Sequence, residues 1–185
     1  MLINYKTMRQ INIIIMIQLL LLSSIACQRD NQPEQKNLKD IEKEYKEPMM
    51  DWNQRKLRDQ DLRIKGYAER RNWNMTRTGS GLYYEIYENG KGPKSDTGDL
   101  AIINYRLELL DGTYCYSSDS TGSRELRLGR VRIESGLEEG LLKMRTGDKA
   151  RLIIPPHLGY GMPGDGNKIP SDATLVYHVE LTELQ

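Results

Sequence analysis

Beyond Gly79 the chain is cut into short apolar stretches by glycine and proline, and this punctuation restricts that part of it to a sheet-rich fold. All 16 glycines and 7 prolines lie after residue 30, and most of them lie beyond Gly79. The run Thr78-Gly79-Ser80-Gly81 marks a turn. Over residues 82–88 Leu82, Tyr84 and Ile86 alternate with Tyr83, Glu85 and Tyr87, the two-residue period of a strand. A longer β-rich run over 100–110 is closed by Asp111-Gly112, a hairpin signal, and a further strand follows it. Residues 125–128 and 151–155 have strand character, and 174–184 alternates cleanly, with Leu175, Tyr177, Val179 and Leu181 on one face. This pattern predicts an antiparallel sheet.

One helix interrupts the strands. Ser135 followed by Glu138 has the spacing of a capping box, Leu137, Leu141, Leu142 and Met144 supply an apolar face, and Gly147 stops the helix. The expected fold class is therefore α+β, an antiparallel β-sheet wrapped around one short helix and preceded by an N-terminal helical arm.

That arm is expected over residues 49–75, with its helix at about 50–71. Leu57, Ile64 and Ala68 keep helical spacing among many charges. The stripe is narrow and broken by Arg and Asp, so the arm is read as a solvated spacer, with docking or homodimerisation as its alternative use. Residues 27–48, polar at their start, are expected to be a tether. The domain of interest is then 76–185, and a fragment beginning near Asn74 is expected to fold alone.

Ahead of the tether, Lys6 and Arg9 precede the apolar run 11–22, and Ser23, Ser24 and Ala26 lead to Cys27, which is the order of a secretory signal. The apolar run is shorter than the ~20 residues a bilayer-spanning helix needs. Small residues ending in Ala-Cys resemble a bacterial lipobox, which implies cleavage after residue 26, lipidation of Cys27 and a lipid-anchored protein of the bacterial envelope, on the outer membrane and facing the periplasm. With Cys27 acylated, Cys115 is the only other thiol, and no intramolecular disulfide can form.

The 27 Lys and Arg nearly balance the 26 Asp and Glu, so there is no basic field of the kind that drives nucleic-acid binding, and nucleic acid is not an expected partner. His157 and His178 lie apart, in a loop and on the last strand, and both are expected to be solvated. They offer no metal cluster and no nucleophilic triad, so neither metal nor cofactor is expected.

From Gly98 to Leu184 the sequence resembles the FK506-binding-protein (FKBP) family. Asp111, Gly112, Ser117 and Ser118 match its Asp-Gly…Ser-Ser pattern. Gly136, Glu139, Gly140 and Met144 match its helix, and Pro155, Tyr160 and Gly161 its Pro-x-x-x-x-Tyr-Gly loop. Ile169-Pro170, then Ala173-Thr174-Leu175 and Val179-Glu180-Leu181, match its closing loop and last strand. The order and spacing of these motifs together make the resemblance specific. With Gly81-Leu82-Tyr83-Tyr84 it is also similar to envelope FKBPs, among them a lipoprotein group associated with gliding motility.

The resemblance implies a peptidyl-prolyl cis-trans isomerase acting on proline-containing polypeptides. It implies a pocket walled by Tyr105, Ile133, Tyr160, Ile169 and Tyr177, with the Tyr160 hydroxyl donating to the bound peptide. Glu134 stands where the backbone N–H bonds the substrate carbonyl. Three positions depart from the family: Cys115 replaces the usual Phe, Tyr116 the usual Asp, and Leu137 the Trp that commonly floors the pocket. Asp165 and Lys168 make the rim more polar. Loss of the Asp and the Phe together implies a lowered isomerisation rate with peptide binding kept. Restoring them with Cys115→Phe and Tyr116→Asp is expected to raise the rate. A non-catalytic peptide-binding module of the same fold is the alternative.

Overall fold

The structure is a computed structural model that describes residues 38–130 and 134–185. The expected signal segment, Cys27 and Ile133 lie outside the described residues. The described residues divide between two units, one ending at Met50 and one spanning 51–185. The second contains helix α1 from residue 51 onward and all the strands. Helix α1 spans Leu38–Glu69, so it begins inside the stretch expected to be a tether, twelve residues before the expected start. It ends where Asn72 takes a left-handed conformation (φ 54°), with the Trp73 N–H donating to the Ala68 carbonyl at 3.0 Å. Asn tolerates that conformation better than most residues, which makes it a fitting helix stop.

The strands are β1 Thr76–Arg77, which the sequence pattern did not single out, and then, in the predicted order, β2 Tyr83–Glu88, β3 Leu100–Leu109, β4 Tyr114–Ser117, β5 Arg124–Arg127, β6 Lys149–Ile154 and β7 Leu175–Leu184. Two short helices, α2 (Ser118–Thr121) and α3 (Ser135–Leu141), and a 3₁₀ turn at Pro156–Leu158 lie between them. All pairings are antiparallel, in the order β1-β2-β6-β7-β3-β4. Strand β5 pairs with the first half of β3, from Leu100↔Arg127 to Ile103↔Arg124, and β4 pairs with its second half. The expected α+β class and the antiparallel sheet are both found.

Helix α3 lies on the inner face of the sheet. Leu137, Leu141 and Met144 join Leu152, Ile154, Leu175, Tyr177, Val179 and Leu181 in one fully buried cluster. The helix approaches closely because of its glycines. A Cβ on Gly136 would stand 2.6 Å from Ile154 Cγ2, and one on Gly140 2.6 Å from Leu152 Cδ1. The expected capping box is absent. Ser135 sits inside the helix, its hydroxyl directed to the Leu158 carbonyl at 3.5 Å, while Glu138 accepts from the Gly129 N–H at 2.6 Å.

The outer face of the sheet is also covered, contrary to the reading of the arm as a solvated spacer. Ile64 and Tyr67 of α1 form a second buried cluster with Tyr83, Ile153 and Val176, flanked by Trp73, Met75 and Leu110. Trp73 meets the Tyr67 ring edge-on at 5.5 Å and the His178 ring at 5.6 Å. His178 is therefore partly buried rather than solvated, and burial lowers its pKa below the usual histidine range. Along the same helix Met49, Met50, Trp52, Leu57 and Leu62 are exposed.

Candidate functional site

The described pocket residues come from separate parts of the chain and meet in the inner cluster. Tyr105 of β3 and Tyr177 of β7 face each other with ring centroids 5.9 Å apart. Tyr177, Ile169, Leu137 and Cys115 are buried, and Tyr105, Tyr116 and Tyr160 pack against them half-exposed. Ser118 explains its place in the Ser-Ser motif, because its hydroxyl accepts from the Tyr105 N–H at 3.2 Å and fixes the backbone carrying that ring. Glu134 immediately precedes α3, and its carbonyl accepts from the Leu137 and Glu138 N–H groups at 3.1 and 3.2 Å.

Tyr160 follows the 3₁₀ turn and precedes Gly161, which has a φ of 61° and thus fits the loop as glycine. Burial, and next the charge of Glu134, push the Tyr160 hydroxyl up to about 12, so it remains a proton donor at neutral pH. Burial likewise raises the Cys115 thiol, which leaves it a packing group rather than a nucleophile.

The rim is a clasp between β4 and the segment 162–170. Tyr116 donates to Asp165 at 2.5 Å and accepts from the Asn167 side chain at 3.3 Å. Asp165 also accepts from the backbone N–H groups of Asn167 and Ile169, each at 2.8 Å. Burial opposes the charge on Asp165, but these hydrogen bonds outweigh it and hold the carboxyl below its usual range. Lys168 Nζ donates to the Cys115 carbonyl at 2.8 Å. Tyr116 is thus not only a missing carboxylate but one half of a loop fastening, which the sequence did not reveal.

Sequence reasoning also missed Arg124 on β5. Its guanidinium donates to Glu134 Oε2, while Tyr177 donates to Glu134 Oε1. A charged residue at the start of a short, alternating strand carries no signal of its own, and only the fold sets it beside Glu134. The Glu134 side chain, to which the resemblance assigned no role, is buried and doubly held.

A family model described as FKBP-type peptidyl-prolyl cis-trans isomerase matches residues 92–182. FK506-binding protein 2 of Dictyostelium discoideum is 42% identical over 89 residues, which cover 48% of this chain and 67% of that protein. The chain belongs to the FKBP family. FkpA of Escherichia coli, an FKBP-type peptidyl-prolyl cis-trans isomerase, is 32% identical over 129 residues, 69% of this chain and 47% of FkpA. The chain thus spans about half of that FKBP relative's length. The crystal structure of FkpA superposes with a TM-score of 0.57 at 27% identity, covering 83% of this chain and 74% of that one. AtFKBP13 superposes over 60% of this chain and 99% of its own, with a TM-score of 0.56 at 29% identity. Among the described residues of this FKBP chain, no group of three His, Cys, Asp or Glu side chains could hold a metal ion.

Proposed function

We propose that the protein is a peptidyl-prolyl cis-trans isomerase acting on proline-containing polypeptides, at a rate lowered by the changes at Cys115 and Tyr116. The reading is carried by one observation: Tyr105, Tyr160, Ile169 and Tyr177 share one cluster with Leu137 of α3. Rotation about a prolyl amide faces a barrier of about 18–20 kcal/mol, with trans favoured by only ~0.5–1 kcal/mol. No nucleophile is needed. The twisted amide has lost its resonance and much of its charge separation, so an apolar, dry wall favours it over the planar state. Tyr160 supplies a hydroxyl donor to the peptide, and the head of α3 an N–H group. A protease-coupled or NMR exchange assay on a short prolyl peptide tests the reading. Weak but measurable acceleration is expected, diminished by Tyr160→Ala; no acceleration by the native protein rejects it.

A second reading is a non-catalytic peptide-binding module of an envelope or gliding-motility complex. It is favoured by the Tyr116–Asp165 clasp, which commits the residue at the usual carboxylate position to holding the loop. It predicts peptide affinity without acceleration.

The setting belongs to the same proposal. Small residues ahead of Cys27 support a signal peptide and a lipid anchor on the outer membrane, with the domain facing the periplasm and helping envelope proteins to fold. Cys27→Ser then releases the protein from the membrane fraction, and unchanged detergent partitioning refutes the anchor. The exposed Met49, Met50, Trp52, Leu57 and Leu62 support a homodimer through the arm.

A further inference from the structure

Arg124, Glu134 and Tyr177 form a polar column in an otherwise apolar site. Glu134 is only 1% exposed and Tyr177 is fully buried, yet the side chain of Arg124 keeps 31% of its surface in contact with solvent. One carboxylate is thereby divided between two strands, with β7 donating to Oε1 and β5 to Oε2. The same residue starts α3 through its carbonyl, so its backbone and side chain are held from three directions. A carboxylate this deeply buried takes up a proton or draws in another donor unless a counter-ion stands against it. A further donor in the site is the Tyr160 hydroxyl, which feels the charges of both Glu134 and Arg124.

We propose that Arg124 is a positioning residue of the prolyl site: with Tyr177 it clamps Glu134, fixing the backbone at the head of α3, and it neutralises the carboxylate so that Tyr160 donates to the peptide instead. The inference rests on the peptide-binding site proposed above and holds for an isomerase and for a binding module alike. No covalent step is involved.

The device has a pH signature. Facing Glu134 are Arg124 from β5, Tyr177 from β7 and Tyr160 from the loop after β6, with Tyr116 and Asp165 beyond Tyr160. The three tyrosines are shifted upward and Asp165 downward, so none of them titrates near neutrality. Without Arg124, a buried carboxyl stands at residue 134 with no counter-ion against it. In its charged form it recruits the Tyr160 hydroxyl and distorts the head of α3.

The test measures the affinity of a blocked Ala-Leu-Pro-Phe peptide by NMR titration, and in parallel its isomerisation. In the native chain affinity is flat from about pH 5 to about pH 8. In Arg124→Leu it weakens about tenfold as pH rises over that range, the loss of roughly one hydrogen bond to a charged group. Arg124→Lys, which keeps the charge, restores much of the flatness. The double variant Arg124→Leu with Glu134→Gln abolishes the slope, a result that a merely structural role for Arg124 does not produce. Should Arg124→Leu not fold, Arg124→Gln takes its place with the same slope expected. A flat profile in the folded single variant, or a slope that survives Glu134→Gln, overturns the proposal. Native binding without isomerisation rejects the enzyme reading and leaves the pH arms decisive; no native binding rejects both.

Discussion

Tyr83 of β2 donates its hydroxyl hydrogen to Asp61 of α1, and the same carboxylate pairs with Lys65 at 2.8 Å and Arg77 at 2.9 Å. Burial opposes the charge on Asp61, but the bonds from Lys65 and Tyr83 and the charges of Lys65 and Arg77 hold its carboxyl below the usual range. A carboxyl lowered on folding contributes stability that is present above its unfolded value, about 3.9, and lost as pH falls through the folded one. Asp61→Asn is therefore expected to destabilise the protein by about 1 kcal/mol at pH 7. The gap between variant and native chain should close as the pH drops below about 4, and denaturant midpoints measured across that range check it.

Ile64 gives the same docking a core component. It is buried on the outer face of the sheet beside Val176 and Ile153, and Ile64→Ala is expected to cost about 2–4 kcal/mol. A chain starting at Asn74 lacks Ile64 and Tyr67 and exposes that face, so it is expected to melt well below a chain starting at Asp51. Thermal melts of the two fragments followed by circular dichroism make the comparison, and equal midpoints would mean that the helix only decorates the sheet.

Tyr116→Phe keeps the ring and removes the hydrogen bond to Asp165. The loop over 162–170 loosens while the core stays packed, so KM for a prolyl peptide is expected to rise about 3- to 10-fold, the equivalent of ~0.6–1.4 kcal/mol, with little change in Tm. Tyr116→Asp instead sets a second carboxylate beside Asp165 and repels it. That exchange alone should weaken the site further, in contrast to the gain expected from family restoration in the sequence, and steady-state kinetics on both variants separate the two outcomes.

Gly140→Ala tests the close approach of α3 to the sheet. Its Cβ would fall 2.6 Å from a terminal carbon of Leu152, a side chain with little room to retreat in the inner cluster. Overpacking of this kind costs about 1–3 kcal/mol, against the helix preference of Ala over Gly, about 1 kcal/mol in the opposite direction. A net loss of stability in urea unfolding is expected, and a gain would show that the helix can lift off the strand.

The strands were legible because one face of each alternates, and α3 because its glycines and leucines carry helical spacing. The docking of α1 was not legible, since its stripe narrows to Ile64, Tyr67 and Ala68 at one end of a highly charged helix. A signal was nevertheless present: Leu152-Ile153-Ile154 and Leu175-Val176-Tyr177 are unbroken apolar runs, the mark of strands covered on both sides. In the site, the resemblance led to Tyr105, Tyr160 and Tyr177, which the fold gathers. It was silent on Arg124 and on the Glu134 side chain, because an ion pair between a strand and a helix start depends on tertiary placement. The Ser135 capping box failed for a related reason: Glu138 is claimed by the Gly129 N–H.

Strand β7 pairs with β6 on one edge and β3 on the other, with partners as distant in sequence as Ala101 and Leu184. The innermost ladders of the sheet are thus completed by the last of the seven strands in chain order. Neither β3 nor β6 has its central neighbour until β7 is in place, so a chain that stops short of residue 175 cannot close the sheet. Such a polypeptide keeps its two longest edges open until the strand that closes them is added.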